Sequence, residues 1–237
     1  MRHRIATLTL AGLVALGVFG QVVGGGAGAA ASVDPANFTN PIPNPYFPLR
    51  PGRLYVYHGH EDGQHLLEHM TVTSKTKMIQ GVSTTVIHDV LWADGRIAER
   101  TRDWYAAAND GTVWYFGEAT ATYDRQGNVR SREGSWQAGV NGAVAGVIMP
   151  AHPHPTDAYR QEFLVRHAED QAWIVQRNLR VRVPYGRLDN VLRSFEWTRL
   201  EPHVVSQKLY APGLGIVQEI DVAGGNEFTE LVAVRKA

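Results

Sequence analysis

The chain has 237 residues, with 23 basic and 23 acidic side chains, ten histidines and no cysteine. That balance makes no polyanion trap, so nucleic acid is not an expected partner, and no disulfide can brace the fold. The length suffices for one substantial domain whose stability must come from burial.

Arg2, His3 and Arg4 form a short basic start, Ile5 to Val23 is uncharged and almost wholly apolar, and Ala29-Ala30-Ala31 precedes Ser32. Basic region, apolar run and small-residue site is the order of a secretory signal peptide; a retained membrane anchor is the rival reading, weakened by the glycines that thin the run. The expected organisation is a signal peptide over 1–31, an extended proline-rich lead-in over 32–52 and a single β domain over 53–237. The expected location is secreted or periplasmic, with no stable membrane span after cleavage.

In the lead-in, recurring prolines fix φ and remove amide donors, which argues against a helix or an inner strand. Beyond Arg53 the pattern is strand, turn, strand. Leu54–His60 and His65–Thr73 flank Asp62-Gly63; Thr84–Trp92 and Arg96–Ala107 flank Asp94-Gly95; Thr112–Tyr123 follows Asn109-Asp110-Gly111. Val129–Trp136, Tyr159–Val165, Ala172–Val183, Val191–Leu200, Val204–Tyr210, Ile216–Val222 and Phe228–Val234 continue the theme. Asp-Gly and Asn-containing turns between β-branched and aromatic runs are strong hairpin signals. The fold class is therefore all-β, an antiparallel meander of about eleven strands forming a curved sheet, half-barrel or barrel. Ala138 to Pro155, glycine- and alanine-rich and then alternating proline with histidine, reads as one long loop, either a rim or lid or a plain connection.

Several segments also carry a family resemblance. Tyr46-Phe47-Pro48-Leu49 with Pro51-Gly52 and Tyr55-Val56-Tyr57 resembles the start of secreted bacterial β-meander proteins and lipoproteins. Val183-Pro184-Tyr185-Gly186 with Leu188 to Leu192, and Tyr210 to Val217, resemble turns late in the same proteins. The block from Asp103-Trp104-Tyr105 to Val113–Glu118 resembles one branch of them. The resemblance implies a curved sheet similar to the half-barrels of periplasmic lipoprotein carriers, and it implies no activity. The chain departs from many such proteins in having no lipid-attachment cysteine.

The hairpin around Asn109-Asp110-Gly111 is the segment richest in candidate chemistry, and two registers are open. A two-residue loop sets Asp103 opposite Glu118, a carboxylate pair able to share a proton or bind a cation. A three-residue loop with Gly111 left-handed sets Trp104 opposite Phe116 and Arg102 opposite Glu118. The second satisfies both the aromatic and the charged pair and is preferred.

Glu162, Glu169 and Asp170, near Tyr159 and Arg160, could serve glycoside hydrolysis or hold calcium. His152 and His154 are acid–base candidates in the long loop. His58, His60 and His65, with His69 farther down, share a hairpin and are weak transition-metal candidates; surface histidines are the plainer reading, so no metal is favoured and no cofactor expected. No Gly-x-Ser-x-Gly elbow, His-Glu-x-x-His helix or phosphate-binding loop is present. The tryptophans read as cross-strand pairs or as a pocket on a concave face.

The expected function is binding of an amphipathic or apolar ligand, or of a cell-envelope component, without catalysis. The expected ligand-binding residues are Arg102, Asp103, Tyr105, Trp114, Trp136 and Tyr159. An extracellular hydrolase or lyase using Glu118, Glu162, Asp170, His152 or His154 is the first alternative. A structural or protein-interaction domain is the second.

Overall fold

The structure, a computed structural model, describes residues 33–237, so the expected signal peptide lies outside the described residues. Alternating apolar residues separated by tight turns build strands β1 (Arg53–Glu61), β2 (Gln64–Ile79), β3 (Val82–Ala93), β4 (Arg96–Ala107) and β5 (Val113–Tyr123). Asp62-Gly63, Gln80-Gly81 and Asp94-Gly95 each place two consecutive residues at positive φ, the turn whose twist matches antiparallel strands. Short strands follow: β6 (Val129–Ser131), β7 (Trp136–Gln137), β8 (Val144–Met149), β9 (Ala158–Arg160) and β10 (Glu162–Phe163). The second half holds β11 (Asp170–Val183), β12 (Gly186–Thr198), β13 (Val205–Ala211), β14 (Gly215–Ala223) and β15 (Phe228–Lys236).

All fifteen described strands belong to one antiparallel sheet. From β1 it runs one way through β2, β3, β4, β5 and β8 to β10, and the other way through β15, β14, β13, β12 and β11 to β9. The two outermost strands are consecutive in sequence, separated by Gln161 alone. Ala158–Arg160 pairs with β11, and Glu162–Phe163 pairs with β8. This six-residue segment bridges both edges, and the sheet becomes a nearly closed barrel. Gly146 permits the crossing, because a Cβ there would collide with the Gln161 carbonyl.

The strand count exceeds the eleven or so expected for identifiable reasons. Val129–Trp136 divides into β6 and β7, and Tyr159–Val165 divides at the seam into β9 and β10. The stretch read as one loop from Ala138 to Pro155 contains β8, whose Ala145, Ile148 and Met149 are buried.

The lead-in closes one end of the barrel. Asp34 Oδ1 accepts from the Ala36 amide and caps a single 3-10 turn at Pro35–Phe38, so this segment is not extended throughout. The chain then crosses the barrel mouth. Ile42 N donates to Ala108 O at 3.1 Å, Asn44 Nδ2 donates to Gly111 O and Pro150 O, and Tyr46 OH donates to Asn190 O at 3.1 Å. Tyr46 and Phe47 are buried in the core beneath this strap.

Candidate functional site

Alternation along a strand sends every second side chain inward. In β2 the inward set is Leu66, Glu68, Met70 and Val72; in β3 it is Ile87, Asp89, Leu91 and Ala93. A carboxylate thus shares the parity of its apolar neighbours, and the pattern recurs around the barrel. Glu61, Glu99, Asp103, Glu118, Glu162, Asp170, Glu196, Glu219 and Glu227 are likewise buried. Lys208 on β13 is the one buried basic side chain among the described residues. The barrel interior therefore holds a belt of carboxylates with a single fixed cation.

One arc of the belt is built around Lys208, with Glu196 hydrogen-bonded and Glu219 held by the ion pair alone. Glu196 accepts from Ser194 Oγ and Tyr210 OH at 2.8 Å each and from Gln161 Nε2 at 3.1 Å, with Lys208 Nζ at 3.2 Å. Lys208 also pairs with Glu219 at 3.5 Å. Burial works against the Lys208 charge, but Glu196 and Glu219 hold its pKa above the ordinary lysine value. Burial pushes Glu219 up to about 7 against the pull of Lys208.

The adjoining arc, which meets the first where β11 pairs with β12, carries few donors. Asp103 Oδ1 receives a hydrogen bond from Tyr115 OH at 2.8 Å. Both oxygens of Glu118, both of Glu162, Oε1 of Gln161 and Oδ1 of Asp170 are buried without a hydrogen bond of good geometry, although the Trp136 indole N–H, itself unpartnered, lies close enough to Glu162 to ease its carboxylate. Desolvation raises Glu118 and Glu162 well above the usual carboxylate range; Asp103 adds to the effect on Glu118, and Asp170 to that on Glu162. Burial raises Asp170 to about 7. Between the two arcs Glu68 and Asp89 face each other as a carboxylate pair. Burial raises both, Glu68 further through Asp89, and Asp89 reaches about 7.

The 103–118 pairing combines both expected registers. At the tip Gly111 is left-handed and Ala108 N donates to Thr112 O at 2.8 Å, the three-residue loop that was preferred. Tyr105 accordingly pairs with Tyr115. The register then slips between Asp103 and Tyr105, where Gly117 stands at φ 127 and its absent Cβ leaves room for the Trp136 carbonyl. Beyond that bulge Asp103 faces Glu118 and Arg102 faces Ala119. Glu118 is thus not the acceptor of an Arg102 salt bridge; Arg102 points outward and is exposed.

The other sequence candidates divide by face. Tyr105 lies inside, stacked on Tyr115 at 4.6 Å and near Phe47 at 5.0 Å. Trp136 is buried, edge-on to Tyr115 at 5.2 Å. Trp114 is half-buried against Phe38 of the strap, and Tyr159 OH reaches Ile148 O at 3.5 Å. Glu169 leaves the belt and binds Arg199 at 2.6 Å, which with the Arg166 amide outweighs its desolvation and lowers its pKa. His58, His60 and His65 are exposed on the outer face; His60 pairs with His65 and stacks on Phe228. His152 and His154 are exposed in a turn where His154 N donates to Asp157 Oδ2. No group of three His, Asp or Glu among the described residues could hold a metal ion. Sequence reading missed Glu68, Asp89, Glu196, Lys208, Glu219 and Gln161, although the parity of each acid with apolar neighbours carries the signal.

At the strap end the interior turns apolar. A pocket lies between Phe47 of the strap, Tyr55, Met70, Val72, Ile87 and Leu214. Met70 pairs with Asp89, and Ile87 with Asp103, so pocket and belt are adjoining layers of one interior.

Fold and site together define an antiparallel barrel, nearly closed, with an acid-lined interior and a strapped apolar end. No family model and no curated protein matches the chain. Among solved structures it is similar to a protein from Bacteroides fragilis described as exported and of YmcC-like fold. That match has 13% identity, covers 81% of this chain and 99% of the other, and has a TM-score of 0.47. It is also similar to a protein from Parabacteroides distasonis described as a lipoprotein, at 11% identity over 82% of this chain and 100% of the other, TM-score 0.43. Neither description names a ligand or a reaction.

Proposed function

We propose that this chain is an exported, non-catalytic binding protein whose barrel takes an amphipathic ligand, apolar portion towards the strap and polar portion towards the belt. One observation carries the reading: the inward faces of β2, β3 and β4 change from apolar to carboxylate within one residue pair, at Met70–Asp89 and Ile87–Asp103. An interior built for stability alone has no use for buried acids beside a pocket, since each costs desolvation. The basic, apolar and small-residue order before Ser32 supports export.

The test is fluorescence titration with the uncharged dye N-phenyl-1-naphthylamine. Saturable binding is expected, and Met70→Trp, which fills the pocket, weakens it at least tenfold. Absence of saturable binding, or binding indifferent to Met70→Trp, overturns the reading.

A further inference from the structure

The barrel seam is short of hydrogen-bond donors. Where β9 hands over to β10, Gln161 and Glu162 come against Asp170 and Glu118, and Gln161 N donates to Asp170 O at 2.8 Å. Six buried side-chain oxygens from these four residues make no hydrogen bond, and an unengaged donor, the Trp136 indole N–H, lies beside Glu162. One of these oxygens belongs to Gln161, a neutral amide whose Nε2 is already committed to Glu196. A buried acceptor without a donor is destabilising, and the great majority of such groups are satisfied. The carboxylates bear on one another: Asp103, Glu162 and Asp170 all raise Glu118. Lys208, the only buried ammonium among the described residues, is engaged by Glu196 and Glu219. The acceptors are concentrated, and Lys208, the buried cation that bears on Glu162 and Asp170, is already held by Glu196 and Glu219, so the seam suits a group that brings several N–H donors and a positive charge.

Building on the amphipathic-ligand reading above, we propose that this seam seats the head group of the ligand and that the head group is a protonated amine. The row Ile87–Asp103–Glu118 runs across β3, β4 and β5 from the pocket wall to the seam. Two strand spacings, ~10 Å, separate its ends, which a short alkyl chain spans. An ammonium at Glu118 and Glu162 can donate up to three hydrogen bonds and pair with the carboxylate it meets. An alcohol supplies one donor and no charge, and a fatty acid is repelled.

The experiment displaces bound N-phenyl-1-naphthylamine with octylamine, octanol and octanoate, and measures octylamine directly by calorimetry. Octylamine is expected to displace the dye at a concentration at least tenfold below the other two. In the double variant Glu118→Gln, Glu162→Gln, octylamine and octanol become equal, whereas Glu133→Gln, an exposed carboxylate, keeps the preference. Dye binding with equal displacement by all three compounds overturns the ammonium seat and leaves the amphipathic reading standing. A preference that survives the double variant overturns the seam assignment. Where the dye does not bind, absence of calorimetric octylamine binding overturns both proposals, and octylamine binding abolished by the double variant supports the seat alone. Circular dichroism confirms that each variant is folded.

Discussion

Glu196 and Glu118 occupy the same acid belt, and the barrel treats them differently. Glu196 receives donors from Ser194, Tyr210, Gln161 and Lys208, drawn from β12, β13 and the seam. Glu118 stands opposite another acid, Asp103, with both of its oxygens unpartnered. The first arrangement is what a buried carboxylate needs to be a structural element: desolvation offset by charge and hydrogen bonds. In the second, the desolvation is offset only by holding a proton. The contrast separates a self-contained ion cluster from an arc left open on its acceptor side.

The largest expected effect falls on the closed arc. Lys208→Met removes its cation and leaves Glu196 and Glu219 buried beside each other. Breaking one side of a buried pair costs ~3–5 kcal/mol. Urea unfolding at pH 8 should show a loss of that size and a smaller one at pH 5, where Glu219, at about 7, accepts a proton. An equal loss at both pH values would mean that Lys208 acts through packing and not through charge.

Next comes the pH dependence of the unmodified protein. Burial places Asp89, Asp170 and Glu219 at about 7 in the fold, against roughly 4 in the unfolded chain. The folded state therefore binds more protons between those values. The stability these groups contribute is complete below their unfolded pKa and is lost as pH rises through 7, with a slope of ~1.4 kcal/mol per pH unit for each titrating group. The thermal midpoint should therefore fall between pH 4.5 and pH 7 and level off above. A flat or rising profile would show that the open arc is already compensated.

Much of this fold is legible in the sequence, and the reasons differ by region. Asp62-Gly63 and Asp94-Gly95 announce their hairpins because turn geometry is local. The three-residue loop at Gly111 is equally local. The slip at Gly117 is not, because it depends on β7 bringing the Trp136 carbonyl to that point from outside the hairpin. β8 hides in a glycine-rich stretch for a similar reason: Gly146 is small to let Gln161 cross, and composition alone reads that as a loop. The belt lies between these cases. Glu68 visibly alternates with Leu66 and Met70, but the other face of β2 carries His65, Leu67 and His69, which is also mixed, so parity alone does not say which face is inside.

Gly117 offers a middle-sized test of how the open arc is made. Its φ of 127 is one that side-chain-bearing residues rarely adopt, and a Cβ there would meet the Trp136 carbonyl. Gly117→Ala should cost ~2 kcal/mol in unfolding free energy. It should also displace Glu118 from Asp103, seen as a lowered pKa for both in carboxyl-resolved NMR titration. A destabilised variant whose acid pair still titrates high would mean that burial alone, without the bulge, sets the pair.

The smallest effect is the one that most directly distinguishes the two arcs. Glu118→Gln and Glu162→Gln keep the shape, put an NH2 in place of one unbonded acceptor oxygen and remove the demand for a proton. At pH 8, where holding those carboxyls neutral destabilises the fold, each substitution should stabilise by ~0.5–1 kcal/mol. The same change at Glu196 takes an anion from Lys208, and an amide NH2 takes the place of an acceptor oxygen. There the sign reverses, to a loss of ~2–3 kcal/mol. Opposite signs for one isosteric change at two positions of one belt cannot come from volume or helix and strand propensity, which the substitution leaves alike. They follow from which carboxylate has its donors inside the protein and which does not. Equal destabilisation at Glu118 and Glu196 would make the whole belt one structural network, and the seam would then have no vacancy to offer a ligand.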